Sequence, residues 1–245
     1  MNRIFKSILV GVAAAGLALI GTGAATASPV SSSKAAPEII GGTKSPATPW
    51  AVQILYKVGS TTNTCTGSAI TASWVLTASH CVSGVTGITV YYSNSTANRG
   101  PGIAVDKIYT PTKGDVALIH LSTAKPLSAY PTVAQSYVNK VNDQGTILGY
   151  GARYNSVATD GLYQANVVVI GTSTDVYNGP ADRVRGDNGA AAPGDSGGPL
   201  FIGGKIVGVC SSADTSTPPT TNIHGVTRYS NLTSVRQWIK NVAGV

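Results

Sequence analysis

The chain is predicted to be all-β with a single C-terminal α-helix. Its apolar segments are short, rich in β-branched and aromatic residues, and bounded by Gly, Pro, Ser or Asn, which is the pattern of strands separated by turns. Charged residues make up only 11% of the composition and glycines number 29, so the chain has few of the solvated residues that long surface helices need. Helical spacing occurs once, near the end.

Taken in order, the strand candidates are 50–56, 74–77, 88–92, 104–109, 116–121, 146–150, 162–170, 200–202, 205–210 and 226–229. The first follows Pro49, the second follows Ser73, and the last two follow Gly204 and Gly225. Val235, Trp238, Ile239 and Val242 then recur at i, i+3, i+4 and i+7, with Thr233 or Ser234 as the cap of a helix. Segments 182–193 and 211–221 read as long loops of the kind that carry function.

The first residues read as a targeting segment. Arg3 and Lys6 form a positive start, residues 8–20 are apolar, and Ala25-Thr26-Ala27 has the small residues of a processing site. This is a secretory signal peptide over 1–27, too short in its apolar run to anchor in a membrane. Secretion to the extracellular side is the expected consequence. Residues 28–38 read as a leader, and 39–245 as one domain.

The net charge is +7. The first 38 residues carry three of the bases and one of the acids, so residues 39–245 keep +5, scattered singly. That argues against a nucleic-acid partner, and nothing indicates a membrane partner. Of three cysteines, Cys65 and Cys81 suit a disulfide in a secreted chain, closing a loop worth about 3 kcal/mol. Cys210 ends the apolar run 206–209 and reads as a buried, inert thiol. No Cys/His group has metal-ligand spacing, so no metal and no cofactor is expected. Asn94-Ser95-Thr96 and Asn231-Leu232-Thr233 fit the pattern for glycosylation.

One motif carries chemistry. Gly194-Asp195-Ser196-Gly197-Gly198-Pro199-Leu200 puts a serine hydroxyl inside a run of glycines. A serine is a weak nucleophile without a base and an anion trap beside it, and glycines leave backbone N–H groups free to form the trap. The base would be a histidine, and there are three. His80 follows the apolar strand 74–77 and precedes Cys81, which would pin it. His120 lies within a strand and reads as a surface or edge residue. His224 stands in a loop before the last strand. Asp115 opens an apolar strand, where a charge is costly unless paired. Pairing with His80 and a strand-end turn after Gly114 read equally well from these residues alone.

Leu76-Thr77-Ala78-Ser79-His80-Cys81, Asp115-Val116-Ala117-Leu118 and the serine heptapeptide resemble the histidine, aspartate and serine motifs of the chymotrypsin/trypsin family. Ile39-Ile40-Gly41-Gly42 resembles that family's mature N-terminus, and Gly149-Tyr150-Gly151 is similar to its Gly-Trp-Gly. The order His, Asp, Ser agrees as well. The resemblance spans 39–245. It implies two six-stranded antiparallel β-barrels packed together, with the site in the cleft between them. It implies a serine endopeptidase acting on protein or peptide substrates as a monomer. Ser196 would be the nucleophile, His80 the base and Asp115 its orienter, with the N–H groups of Gly194 and Ser196 binding the oxyanion. Ser211 matches a serine that supports the aspartate.

The only glutamate is Glu38, directly before Ile39. The resemblance implies that a cut there frees an ammonium which inserts beside Asp195 and orders the oxyanion hole. The chain would then be a zymogen with an activating protease as partner. Ala190, Ser211 and Ala213 match the specificity pocket, and Ala190 brings no carboxylate to its base. The pocket therefore reads as apolar. Ala192 stands where the family has a flanking cysteine, and Ser212 and Ala213 where it has tryptophan and glycine. A Glu-accepting pocket built from His224, Arg183 or Arg185, a trypsin-like one based on Asp187, and a non-catalytic binding homologue are the alternatives.

Overall fold

The computed structural model describes residues 39–214 and 220–245. The proposed signal peptide, the leader with Glu38, and part of the 211–221 segment lie outside the described residues. Two short strands open the chain, β1 (Ile40–Gly41) and β2 (Thr43–Lys44). Six more come next: β3 (Ala51–Val58), β4 (Thr61–Ala69), β5 (Trp74–Thr77), β6 (Thr86–Tyr91), β7 (Ile103–Tyr109) and β8 (Ala117–Leu121). They pair antiparallel in the order β3-β4-β5-β8-β7-β6 and close into a barrel through β3 and β6.

The second half holds β9 (Gln144–Gly149), β10 (Tyr163–Thr174), β11 (Pro180–Gly186), β12 (Gly189–Ala190), β13 (Pro199–Ile202), β14 (Lys205–Ala213) and β15 (Val226–Asn231). Six of these run antiparallel in the order β11-β15-β14-β13-β9-β10, and β10 pairs back to β11 to close a second barrel. β2 adds to the edge of β10, and β12 pairs with β1. Closure leaves each barrel without free edges.

Each barrel has its own apolar filling. Val52, Ile54, Val75, Leu76, Val90, Leu118 and Ile119 fill the first, and Ile147, Val167, Val169, Val184, Leu200 and Tyr229 fill the second. Each fully buried large side chain contributes on the order of 1.5–3 kcal/mol. The C-terminal helix α1 (Arg236–Ala243) returns to the first barrel, where Val235 and Ile239 join the core and Trp238 and Val242 pack against it. The cap differs from the expectation: a 3-10 turn (Leu232–Val235) precedes the helix, and the side chain of Asn231 accepts from Thr233 N.

Two barrel strands, β4 and β11, escaped the sequence reading, as did the two-residue β1, β2 and β12. β4 is dominated by Thr, Ser and Asn, with single Cys65, Gly67 and Ala69 and no apolar run, yet Thr66 and Ser68 are buried in it. β11 runs into the segment read as a loop, because Asp182, Arg183 and Arg185 leave only Ala181 and Val184 as apolar residues between Pro180 and Gly186, too few to mark a strand. Both glycosylation-pattern amides serve inside the fold. Asn94 Nδ2 donates to Tyr150 Oη at 2.8 Å, and Asn231 Nδ2 donates to Asp182 Oδ2 at 2.9 Å.

Candidate active site

Asp115 stands just ahead of β8 and is 0% exposed. Its Oδ2 lies 2.7 Å from Nδ1 of His80, and its Oδ1 accepts the backbone N–H of His80 at 2.9 Å. One carboxylate thus holds the ring and the main chain of the same histidine. A carboxylate oxygen only accepts, so the proton of this bond sits on Nδ1, and in the neutral ring the lone pair is then left on Nε2. Ser211 Oγ donates to the same Oδ2 at 2.7 Å, while accepting the N–H of Val176 at 3.3 Å. Accepting that N–H leaves its own proton free to turn to Asp115.

Cys65 and Cys81 form a disulfide, tying β4 to the 3-10 turn that carries His80. Cys65, His80 and Cys81 place their ligand atoms within 4.8 Å of one another. The sulfurs are bonded to each other, so they offer no thiolate to a metal.

The serine turn belongs to the second barrel and rests on the first. Thr66, fully buried in β4, donates its N–H to the carbonyl of Ser196 at 2.8 Å. Its hydroxyl donates to the carbonyl of Gly194 at 2.9 Å and accepts the N–H of Tyr150 at 3.0 Å. Gly197 has φ +81, and a Cβ there would overlap Thr77 Oγ1 and the Thr66 carbonyl oxygen. Only glycine lets the turn approach the end of β5, three residues before His80.

Asp195 turns inward and is 2% exposed. Its Oδ1 accepts from Gly151 N at 2.7 Å and its Oδ2 from Ala192 N at 2.8 Å. Burial pushes its carboxyl up to about 7, against the lowering pull of those two N–H groups and of Arg153. Gly151 packs directly on this carboxylate and has no room for a Cβ. Ile40 pairs with Ala190, which brings the buried Ile39 alongside the segment whose Ala192 holds Asp195. Ile39 has φ 48, a value β-branched residues avoid.

Two cavities flank the turn. One, of about 280 Å³, is lined by Ala191, Ala192, Ser196, Ser212, Ala213 and Thr227 among others, with no charged side chain. The other, of about 670 Å³, includes Pro193 and Gly194 in its lining. Of the pocket residues named from sequence, Ala213 lines the smaller cavity. Ala190 is buried in β12 and is not among the lining residues, and the Ser211 hydroxyl is turned to Asp115. Thr227 was not foreseen. None of the charged candidates His224, Arg183, Arg185 and Asp187 is among the residues lining the smaller cavity; His224 Nδ1 bonds the carbonyl of Gly186 at 2.9 Å, and Arg183 pairs with Asp214 at 2.9 Å. His120 bonds Asp106 on the outside of the first barrel at 2.7 Å. Burial raises the Cys210 thiol well above its ordinary range. Asp175, also unforeseen, reaches the Asp115 backbone; its only signal in the sequence was an aspartate opening the turn Asp175-Val176-Tyr177-Asn178-Gly179.

Residues 39–239 match the family model for trypsin. The chain is 34% identical over 158 residues to an uncharacterized peptidase of Corynebacterium glutamicum, covering 60% of this chain and 52% of that protein. It is 29% identical over 167 residues to serine protease SP24D of Anopheles gambiae, covering 60% and 62%. The matches with these curated relatives thus span between about half and two thirds of their length. The fold is similar to the crystal structure of the scabies mite inactivated protease paralogue S-D1, with a TM-score of 0.70 at 24% identity over 84% of this chain and 97% of that one.

Proposed function

The chain belongs to the trypsin family, and on that premise we propose that it is a secreted serine endopeptidase, made as a precursor and activated by a cut after Glu38. The observation that carries the reading is the double hold of buried Asp115 on the Nδ1 and backbone N–H of His80. It fixes the tautomer that leaves Nε2 able to take a proton.

Ser196 Oγ attacks the carbonyl carbon of a peptide bond, and its proton passes to His80 Nε2. Asp115 stabilises the imidazolium that forms. The N–H groups of Gly194 and Ser196 receive the oxyanion, each worth roughly 3 kcal/mol in the transition state. His80 gives its proton to the leaving amine, and water then releases the acyl group from Ser196 by the same steps. The fold alone does not guarantee this, since one of its structural relatives is an inactivated protease. Here all three side chains of the relay are present.

The uncharged lining of the 280 Å³ cavity supports an apolar residue before the scissile bond. The engagement of His224 and Arg183 elsewhere speaks against a Glu-accepting pocket. A pocket of this kind does not accept Glu38, so the activator is a different protease. The buried Ile39 supports activation. Its left-handed φ of 48 costs on the order of 1–3 kcal/mol while a carbonyl precedes it, and a cut removes that carbonyl. The freed ammonium enters the region where Asp195 is buried. Residues 1–27 support secretion, and no helix among the described residues is long and apolar enough to cross a membrane.

Incubation with a fluorophosphonate tests the reading. Chains beginning at Ile39 are expected to be labelled at Ser196, Ser196→Ala chains to stay unlabelled, and chains beginning at Ser28 to react far more slowly. Absence of labelling in the processed chain overturns the reading.

A further inference from the structure

We infer that Asp175, which lies outside the relay, is a positioning residue that sets Asp115 and through it His80; the inference rests on the serine-peptidase reading above. Asp175 is 4% exposed and stands at the turn between β10 and β11, in the other barrel from His80. Its carboxylate is satisfied by backbone N–H groups. Oδ2 accepts from Asp115 N at 2.8 Å, and Oδ1 accepts from Tyr177 N at 2.9 Å and Gly179 N at 2.8 Å. The turn closes on itself as well, with Asp175 N donating to the Gly179 carbonyl at 2.9 Å.

This turn grips Asp115 twice. Asp175 holds the main chain directly. Val176, the next residue, holds Ser211 Oγ, which in turn donates to the Asp115 carboxylate. The backbones of the two turns are also in contact: a Cβ built on Gly179 would lie 2.5 Å from Gly114 Cα. Among the described residues, the only other side-chain hydrogen bond to the Asp115 main chain is the longer one from Ser230 Oγ to its carbonyl, at 3.3 Å. The short N–H bond to Asp175 therefore fixes where the Asp115 side chain starts.

Only a carboxylate can take all three donors. An asparagine carries one acceptor oxygen, so either orientation sets its NH2 group against a backbone N–H. Releasing the Asp115 N–H lets its carboxylate drift from His80 Nδ1. The proton relay then suffers, whereas the cavity that binds substrate stays intact.

The test uses processed chains beginning at Ile39, with active sites counted by burst titration so that misfolded molecules do not enter. For Asp175→Asn and Asp175→Ala, kcat per active site is expected to fall ten- to a hundredfold while KM stays within about twofold. In an Asp115→Asn background, Asp175→Asn is expected to lower kcat little further, because its path runs through Asp115. Hydrogen exchange on the wild-type chain covers the case of variants that do not fold: the Asp115 amide is expected to exchange only on global opening. An unchanged kcat, a loss confined to KM, or exchange of that amide at loop rates overturns the inference while leaving the peptidase reading intact. A wild-type chain without activity overturns both.

Discussion

Thr66 of the first barrel donates its backbone N–H to the carbonyl of Ser196 in the second at 2.8 Å. Its hydroxyl reaches the Gly194 carbonyl two residues earlier. Both residues whose N–H groups are proposed to form the oxyanion trap are thus held through their carbonyls by one side of the cleft. Thr66→Val keeps the shape and the backbone bond but strands the buried Tyr150 N–H, at a cost of about 1–3 kcal/mol. Urea unfolding is expected to show that loss, and kcat is expected to fall about tenfold as the trap loosens. An unchanged kcat would detach Thr66 from the trap.

Stability of the uncut chain is expected to depend on pH through Asp195. While the Glu38–Ile39 bond is intact, burial holds the Asp195 carboxyl at about 7, against an ordinary value of 3.8. A raised carboxyl stabilises the fold fully below its unfolded value, and that contribution is lost as pH rises through its folded value. The uncut chain, kept inert by Ser196→Ala, is therefore expected to lose stability between about pH 4 and pH 7. Thermal unfolding across this range checks it. Asp195→Asn should flatten that part of the profile, and equal slopes in the two chains would rule the assignment out.

The proposed specificity rests on the smaller cavity. Ala191, Ala192 and Ala213 are apolar, Ser212 and Thr227 bring only neutral hydroxyls, and a buried charge without an opposite charge costs several kcal/mol. Peptides with Leu or Phe before the scissile bond are expected to exceed those with Arg, Lys or Glu by at least about a hundredfold in kcat/KM. His224→Gln should leave that ratio unchanged, since the ring is spent on the Gly186 carbonyl. A strong preference for Glu, lost with His224, would reverse the specificity reading.

Sulfur chemistry divides cleanly. Replacing Cys65 and Cys81 by alanine removes a bridge between residues 16 apart, worth about 3 kcal/mol, and is expected to lower the urea midpoint accordingly. Cys210 is buried, its thiol raised well above its ordinary range by burial. Iodoacetamide is expected to modify it only under unfolding conditions. Rapid alkylation of the folded chain would show an opening at β14.

Much of this was legible in the chain. Trp74–Thr77 was read with its observed bounds because its bulky apolar residues end at a motif. Most other strands were found with ends displaced by one to a few residues, since barrel pairing continues past the apolar run, as in β10. β4 and β11 were missed for a different reason. Thr66, Ser68 and Asp182 are polar and buried, and burial of that kind depends on partners elsewhere. Asp182 is tolerated inside because Asn139 and Asn231 both donate to it, and neither is near it in sequence.

The sequence by itself determined the family and the order of His80, Asp115 and Ser196, because those side chains sit in short motifs whose residue types the chemistry requires. It also determined the absence of a carboxylate at Ala190. The tertiary structure alone decided what surrounds them. Asp175 meets Asp115 across 60 residues of chain, Ser211 meets it across 96, and Thr66 meets Gly194 across 128. Such pairs form only when two closed barrels bring their turns together. A hydrogen bond needs its atoms within about 3 Å, and no local pattern records which distant turn will arrive there.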